Sequence, residues 1–231
     1  MNWLNPSKSI FEYNWSLYSA GHAELDVNKD APKELMIRDR DRNTSWLLGD
    51  SGGFQIGKGV WEGDWKDPNC PKAKKKREQV LTWMDAYMDY GMILDIPAWV
   101  SRSPQGAKAS NINSYQEAVD GTKINNDYFM KNRNGNCKFL NVLQGENFQQ
   151  ADDWYLQMKD YCDPKKYSDH FNGWAMGGQN MCDVHLALKR LVALRFDGLL
   201  EKGKHDVMPV SYTHLRAHET SLHLVCRLLL E

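Results

Sequence analysis

The sharpest chemical signal in the chain is Gly49-Asp50-Ser51-Gly52-Gly53-Phe54-Gln55. A Gly-Asp-Ser-Gly-Gly run surrounds the nucleophilic serine of two-barrel β proteases, where the serine needs a His and an Asp upstream. Here His22 is the only His upstream, and Phe54 stands where a Pro is usual. The flanking sequence also alternates strand with helix, so the protease reading is set aside. On local chemistry alone the run is a tight Gly-Gly turn beside an Asp. Three further segments set polar or glycine residues at the ends of apolar runs: Asp95-Ile96-Pro97, Gln144-Gly145-Glu146 and Gly177-Gly178-Gln179. Together they offer carboxylate and amide acceptors, amide donors and approachable backbone, the equipment of a polar binding site.

The elements that must position these residues follow from periodicity. Residues 77–90 carry Val80, Leu81, Trp83, Met84, Tyr87 and Met88 on one side, with Asp85 and Asp89 opposite, which is helical spacing. Gly91 stops that helix, residues 92–96 read as a short buried strand, and Pro97 ends it. A polar loop with Ser103-Pro104 and Gly106 follows. Next come a helix over 114–131 with Gly121 a weak point, a strand over 138–143 and a helix over 147–161. A strand over 171–176 and a helix over 182–201 complete the series, and 206–208 opens another strand. In the N-terminal 76 residues only 16–20 and 46–48 suggest strands, with a polar turn at 39–43 between them. Strand-helix alternation with short connections means parallel βαβ units. Chemistry then belongs at the C-terminal ends of the strands, in a TIM barrel as in a doubly wound sheet. Polar residues on strand after strand, rather than one dominant Gly-rich loop, favour the barrel.

Composition bounds the function classes. The chain has 231 residues, 42% hydrophobic and 26% charged, with net charge −1, which excludes a strongly basic nucleic-acid coat. No apolar run reaches the roughly 18–20 residues of a membrane span. The first residues have no basic stretch followed by an apolar one, so no signal peptide is expected. Five scattered Cys (70, 137, 162, 182 and 226) form neither a disulfide framework nor a metal-binding pair. A cytoplasmic protein that makes no membrane contact is the expectation. Residues 209–231 form a separate case: 209–220 resembles a translated transposase adapter from short-read libraries, and 224–231 resembles its end. They are read as non-native and set apart from the fold. Residues 1–208 are then the expected N-terminal part of a longer natural protein, with about five to six of eight barrel strands.

Taken together, four segments carry a family resemblance. Asp50-Ser51-Gly52-Gly53-Phe54-Gln55 resembles the D-S-G-G-[FY]-Q signature of tRNA-guanine transglycosylases, the queuine and archaeosine tRNA-ribosyltransferase superfamily. Leu94-Asp95-Ile96-Pro97 resembles its strand-end carboxylate, and Val142-Leu143-Gln144-Gly145 its V/I-Q-G segment. Phe171-Asn172-Gly173-Trp174-Ala175-Met176-Gly177-Gly178 resembles its F-x-G-[YW]-A-x-G-G. The four stand in order and in spacing across residues 45–205. The nearest flavour is the phage and bacterial branch that inserts 7-deazaguanine bases into DNA.

The resemblance implies a (β/α)8 barrel that exchanges guanine in a nucleic acid for a 7-deazaguanine through a covalent Asp intermediate. DNA is slightly favoured over tRNA as the polymer. It implies Asp50 as the group that protonates the departing base, its pKa raised beside Asp95. Ser51, Gly52, Gly53, Phe54, Gln55, Asp95, Gln144, Gly145, Gly177 and Gly178 are implied as substrate-binding residues. Guanine fits such a set: its N1–H and N2–H₂ donors meet carboxylates, and its O6 meets an amide or backbone N–H. Phe54 would lie against the base face. The family's nucleophile and its zinc cluster are expected beyond Met208, so the chain as it stands is expected to be inactive and to hold no metal. A homo- or hetero-dimer is expected of the longer protein. The alternative is a non-catalytic base-binding subunit of a transglycosylase complex.

Each residue also has a plainer reading. Asp95 could cap a helix or sit satisfied in the core, and Gln144 could tie loop backbone. Trp99 and Trp174 read as packing, and His185 as a surface or core residue. Nothing fixes roles for Glu146 and Gln179. The basic run Lys72-Ala73-Lys74-Lys75-Lys76-Arg77 is either a solvated helix start or a set of phosphate contacts.

Overall fold

The computed structural model describes residues 14–178 and 183–209. The expected helix start at Cys182, the loop residue Gln179 and residues 210–231 lie outside the described residues. Six strands form one sheet: β1 (Trp15–Ser19), β2 (Trp46–Asp50), β3 (Tyr90–Met92), β4 (Lys138–Leu143), β5 (Gly173–Met176) and β6 (Asp206–Pro209). Their order in the sheet is their order in the chain, and every neighbouring pair is parallel. Parallel neighbours need crossovers, and helices supply them. Helices α1 (Leu35–Arg38), α2 (Gly53–Gly57), α3 (Pro71–Tyr87) and α4 (Pro104–Ser110) belong to the first half. The second half holds α5 (Tyr115–Asn132), α6 (Phe148–Met158) and α7 (Val184–Phe196). The chain is therefore an α/β protein built on a parallel sheet. Pro209, the first residue of the segment set apart in the sequence, closes β6 opposite Met176.

Local chemistry explains most boundaries. Ser114 caps α5 by accepting from the Glu117 N–H, Asn147 caps α6 through Gln150, and Asp183 caps α7 through His185 and Leu186. Helix α3 starts at Pro71, six residues before the apolar period becomes visible, because proline suits a first helical turn. The strand expected at 92–96 is shorter and earlier, at 90–92, although Ile93 still donates to Leu140 O at 3.0 Å. The expected polar loop at 103–106 is a helix, α4, capped by Ser103 accepting from Gly106 N. Gly106 packs so closely on the Gly57 carbonyl that no side chain would fit.

The core lies between sheet and helices. β4 is buried along five of its six residues and β5 along all four, as expected of strands covered on both faces. Trp154 and Trp174 are fully buried, and each indole N–H is satisfied: Trp154 by Val142 O at 2.9 Å, Trp174 by Leu199 O at 2.8 Å. Burying one such ring contributes at most about 5 kcal/mol. The two aspartates expected on the polar side of α3 are not in open solvent. Asp85 is buried and accepts from Asn134 N at 3.0 Å, and burial pushes its pKa up. Asp89, just past α3, takes the Arg40 guanidinium at 2.6 Å and the Leu47 N–H at 2.7 Å. Both carboxylates satisfy backbone or charge at the end of the sheet where β2, β3 and β4 begin.

Candidate functional site

Because β2 to β5 are parallel, their C-terminal ends share one edge of the sheet, and the sequence places a polar or glycine residue at each end. Asp50 is the last residue of β2 and half-buried; its carbonyl accepts from Ala20 N at 2.8 Å. Gly52 then adopts φ +76°, and a Cβ there would meet the Trp61 ring at 2.7 Å. That left-handed residue turns the chain into α2, whose first residue, Gly53, lies so close to Asp95 that a Cβ would overlap the Asp95 carbonyl oxygen. The glycine pair thus lets the loop after β2 lie directly on the loop after β3.

Asp95 sits three residues beyond β3 and is only 7% exposed. Gln144 is the first residue after β4, and its Nε2 donates to Asp95 Oδ2 at 2.6 Å. Gly177 and Gly178 follow β5 directly. A Cβ on Gly177 would lie 3.1 Å from Gln144 Nε2, and one on Gly178 would lie 2.9 Å from Gln144 Oε1. The Gln144 amide therefore spans from the Asp95 carboxylate to the diglycine. Strand ends β2, β3, β4 and β5 contribute Asp50, Asp95, Gln144 and Gly177-Gly178 to one place.

Burial above all, with the nearby Asp50 charge, raises the Asp95 carboxyl from its ordinary value of 3.8 to about 7 against the lowering pull of Gln144 and Ser51. Beyond its approach to Asp95, the fully buried Ser51 hydroxyl has no hydrogen-bond partner among the described residues. Asp95 is the enclosed member of the Asp50–Asp95 pair, and its raised pKa follows from that enclosure.

The remaining candidates divide. Phe54 stands 36% exposed at the rim, edge-on to Trp99 with ring centroids 5.6 Å apart, and the Lys58 ammonium lies 5.1 Å from its ring. Trp99 is half-buried beside Phe54 and packs on α2, where Gly57 approaches its ring too closely for a side chain. Gln55 turns toward the loop after β1, where a Cβ on Gly21 would lie 2.8 Å from its Nε2. Gly145, at φ +130°, serves the turn into α6, since a Cβ would meet Ala151 N at 2.6 Å. Trp174 is core, and His185 is exposed.

Some residues near the site escaped the sequence. Arg102 is one: it forms an ion pair with Glu146, the strand-end residue left without a role, between the loops after β3 and β4. Thr122 and Asn125 are fully buried polar residues on α5, behind Asp95. Their signal was present: polar side chains on the same helix face as Ala118 and Gly121. The basic run is divided in its roles. Lys72 pairs with Glu62 at 2.8 Å, Lys76 lies over the Trp61 ring and Arg77 is buried, which leaves Lys74 and Lys75 on the surface.

Among the described residues no three His, Cys, Asp or Glu gather as metal ligands. Burial raises the thiol pKa of both Cys137 and Cys162, which disfavours the thiolate a zinc ion needs. The zinc cluster that the resemblance implies is expected beyond Met208 and involves neither of these cysteines. No helix among them is long and apolar enough to cross a membrane. Comparison of the chain with protein-family models, curated proteins and solved structures finds no match.

Proposed function

We propose that this chain carries the base-binding part of a guanine transglycosylase, an enzyme that exchanges guanine in a nucleic acid for a 7-deazaguanine. The observation that carries the reading is the meeting of Asp50, Asp95, Gln144 and Gly177-Gly178 from four adjacent strand ends. The parallel strands in chain order support a (β/α)8 barrel, of which the described residues would form six strands.

The chemistry follows from the donors and acceptors. Guanine presents N1–H and N2–H₂ to a carboxylate, and Asp95 is the enclosed acceptor. Its O6 takes a donor from the Gln144 amide or the Gly177-Gly178 backbone. Gly52, Gly53, Gly177 and Gly178 leave room for a flat ring, and Phe54 closes the rim beside Trp99. Asp50, half-buried at the edge of the same site, is assigned the proton transfer. When the C1′–N9 bond breaks and guanine leaves, Asp50 supplies the proton the ring takes up. When the incoming 7-deazaguanine bonds C1′ through N9, Asp50 accepts the proton that ring gives up. The carboxylate that bonds C1′ between those two displacements is expected beyond Met208, by resemblance. Zinc, expected of the longer protein, enters none of these steps.

Calorimetric titration with guanine and with 7-cyano-7-deazaguanine, adenine serving as control, tests the reading. Binding of both guanine-edge bases and rejection of adenine is expected. Equal binding of adenine, or binding of none, would overturn it. For a chain extended to include the nucleophile, labelled base is offered with DNA and with tRNA. Incorporation into DNA is expected, and incorporation into tRNA alone would reverse the polymer assignment.

A further inference from the structure

Two peptide groups flank Asp95, and both are held from behind by α5. The Leu94 carbonyl accepts from Asn125 Nδ2 at 2.6 Å. The Ile96 N–H donates to Thr122 Oγ1 at 2.9 Å, and the Thr122 hydroxyl proton goes to Ala118 O at 2.8 Å. Gly121 lies between them on the sequence, and a side chain there would press on Ile96 and on the Trp65 carbonyl. The glycine that looked like a flaw in α5 is what lets the helix approach the Asp95 loop.

Arg77 of α3 completes the set. Its Nε donates to Asn125 Oδ1 at 2.6 Å, with the guanidinium between the Trp65 and Tyr128 rings, 5.9 and 5.7 Å from their centroids. Arg77 is 1% exposed and, among the described residues, has no carboxylate partner. The Asp67 charge acts on it without forming an ion pair, and a buried cation so weakly compensated is costly, so packing alone is a poor account of it. A guanidinium has donors and no acceptor, so it forces the Asn125 oxygen toward itself. The Asn125 amide protons are then left for the Leu94 carbonyl, which settles an orientation that an isolated amide would leave open.

We propose that Arg77, Asn125 and Thr122 are positioning residues that lock the backbone on both sides of Asp95 and thereby aim its carboxyl into the site. Arg77 acts through Asn125, and Asn125 and Thr122 act through the peptide groups of Leu94 and Ile96. None of the three reaches the base. The functional meaning of the aim rests on the guanine-binding reading, but the clamp itself can be tested without any ligand.

The variants are Thr122→Val, Asn125→Leu and Arg77→Met, with Thr122→Ser and Arg77→Lys as conservative partners. The readout is the titration of the Asp95 carboxyl carbon by NMR, alongside far- and near-UV circular dichroism. Asp50, Ser51 and Gln144 are the groups facing Asp95, and all are left unaltered. Releasing the loop admits water, so the midpoint should fall by about one pH unit or more in the first three variants. Thr122→Ser should restore it. Where Asn125→Leu fails to fold, Thr122→Val and Arg77→Met decide. An unchanged Asp95 midpoint in folded Thr122→Val and Arg77→Met would overturn the proposal and leave these residues as packing. If the wild-type chain binds no guanine while the midpoint shifts as stated, the clamp stands and the function reading fails.

Discussion

Gln144 Nε2 donates to Asp95 Oδ2 at 2.6 Å, joining by side chains the ends of two strands that already pair along their backbones. A hydrogen bond to the charged form lowers a carboxyl pKa, so this contact opposes the rise that burial imposes on Asp95. Gln144→Leu removes the donor at similar volume. The Asp95 midpoint should then climb above its value of about 7, and guanine affinity at pH 7 should drop roughly tenfold or more, as for the loss of a bond to a charged group. NMR titration and calorimetry read the two effects. A midpoint that stays in place would show that Gln144 is bound elsewhere in solution.

Asp95 also makes stability depend on pH in a direction unusual for an aspartate. Its folded pKa lies above the ordinary 3.8, so between about pH 4 and pH 7 the folded chain binds more protons than the unfolded one. Stability contributed by the neutral carboxyl is present below pH 4, falls as pH rises through 7, and is constant above. The span from 3.8 to about 7 amounts to about 4 kcal/mol at most. Asp95→Asn should remove this slope and be more stable than the wild type at pH 8, with little difference at pH 4.5. Urea unfolding at the two pH values measures it, and a wild-type chain equally stable at both would contradict the buried, protonated carboxyl.

Under the proposed reading, guanine binding should release a proton. Donors of a base seated against Asp95 would favour its charged form and lower its pKa. At pH 6 the free carboxyl, with a pKa of about 7, is mostly neutral and must ionise on binding. Calorimetry in two buffers of different ionisation enthalpy should show nearly one proton released at pH 6 and almost none at pH 8.5. Proton uptake at pH 6 would mean that Asp95 binds the base as a neutral acid.

The helices and strands after residue 70 were largely legible, because their apolar periods and caps act within a few residues. The helices expected from 114 and from 147 begin there, and Ser114 and Asn147 are their caps. The edge on which Asp50, Asp95, Gln144 and Gly177-Gly178 meet was legible too, since parallel strands bring their ends together. What escaped depends on contacts between distant segments. Asp89 reads in the sequence only as lying opposite the apolar side of a helix, yet it takes Arg40 from 49 positions away. Which of Asp50 and Asp95 is enclosed depends on where Gly53 and Gln144 pack, and no local pattern states that. Gly121 looked like a weak point in a helix until Ile96 was seen against it.

Gly53 and Gly135 make a matched pair for testing how tightly the site is closed. A Cβ at Gly53 would overlap the Asp95 backbone, which cannot yield without moving the carboxyl. Gly53→Ala should therefore destabilise the chain by about 1–3 kcal/mol, as overpacking does, and should abolish guanine binding. Gly135 has φ +86° with nothing near its missing side chain. Gly135→Ala should cost only the backbone strain, about 1–2 kcal/mol, and leave binding intact. Loss of binding in both would trace the effect to stability rather than to the site.

Phe54 tests the rim. It is 36% exposed, and Trp99 meets it edge-on while Lys58 lies over its ring. About a third of its surface faces solvent, so Phe54→Ala should cost less stability than the loss of a fully buried ring. If the ring stacks on the base, the same change should weaken guanine binding by about 1–3 kcal/mol, the usual worth of one base–aromatic stack. Phe54→Tyr keeps the ring and should bind as the wild type does. Trp99→Phe keeps an edge against Phe54 and should lose less than Phe54→Ala. A Phe54→Ala chain that binds guanine undiminished would move the base away from this rim and onto the Gly177-Gly178 side of the site.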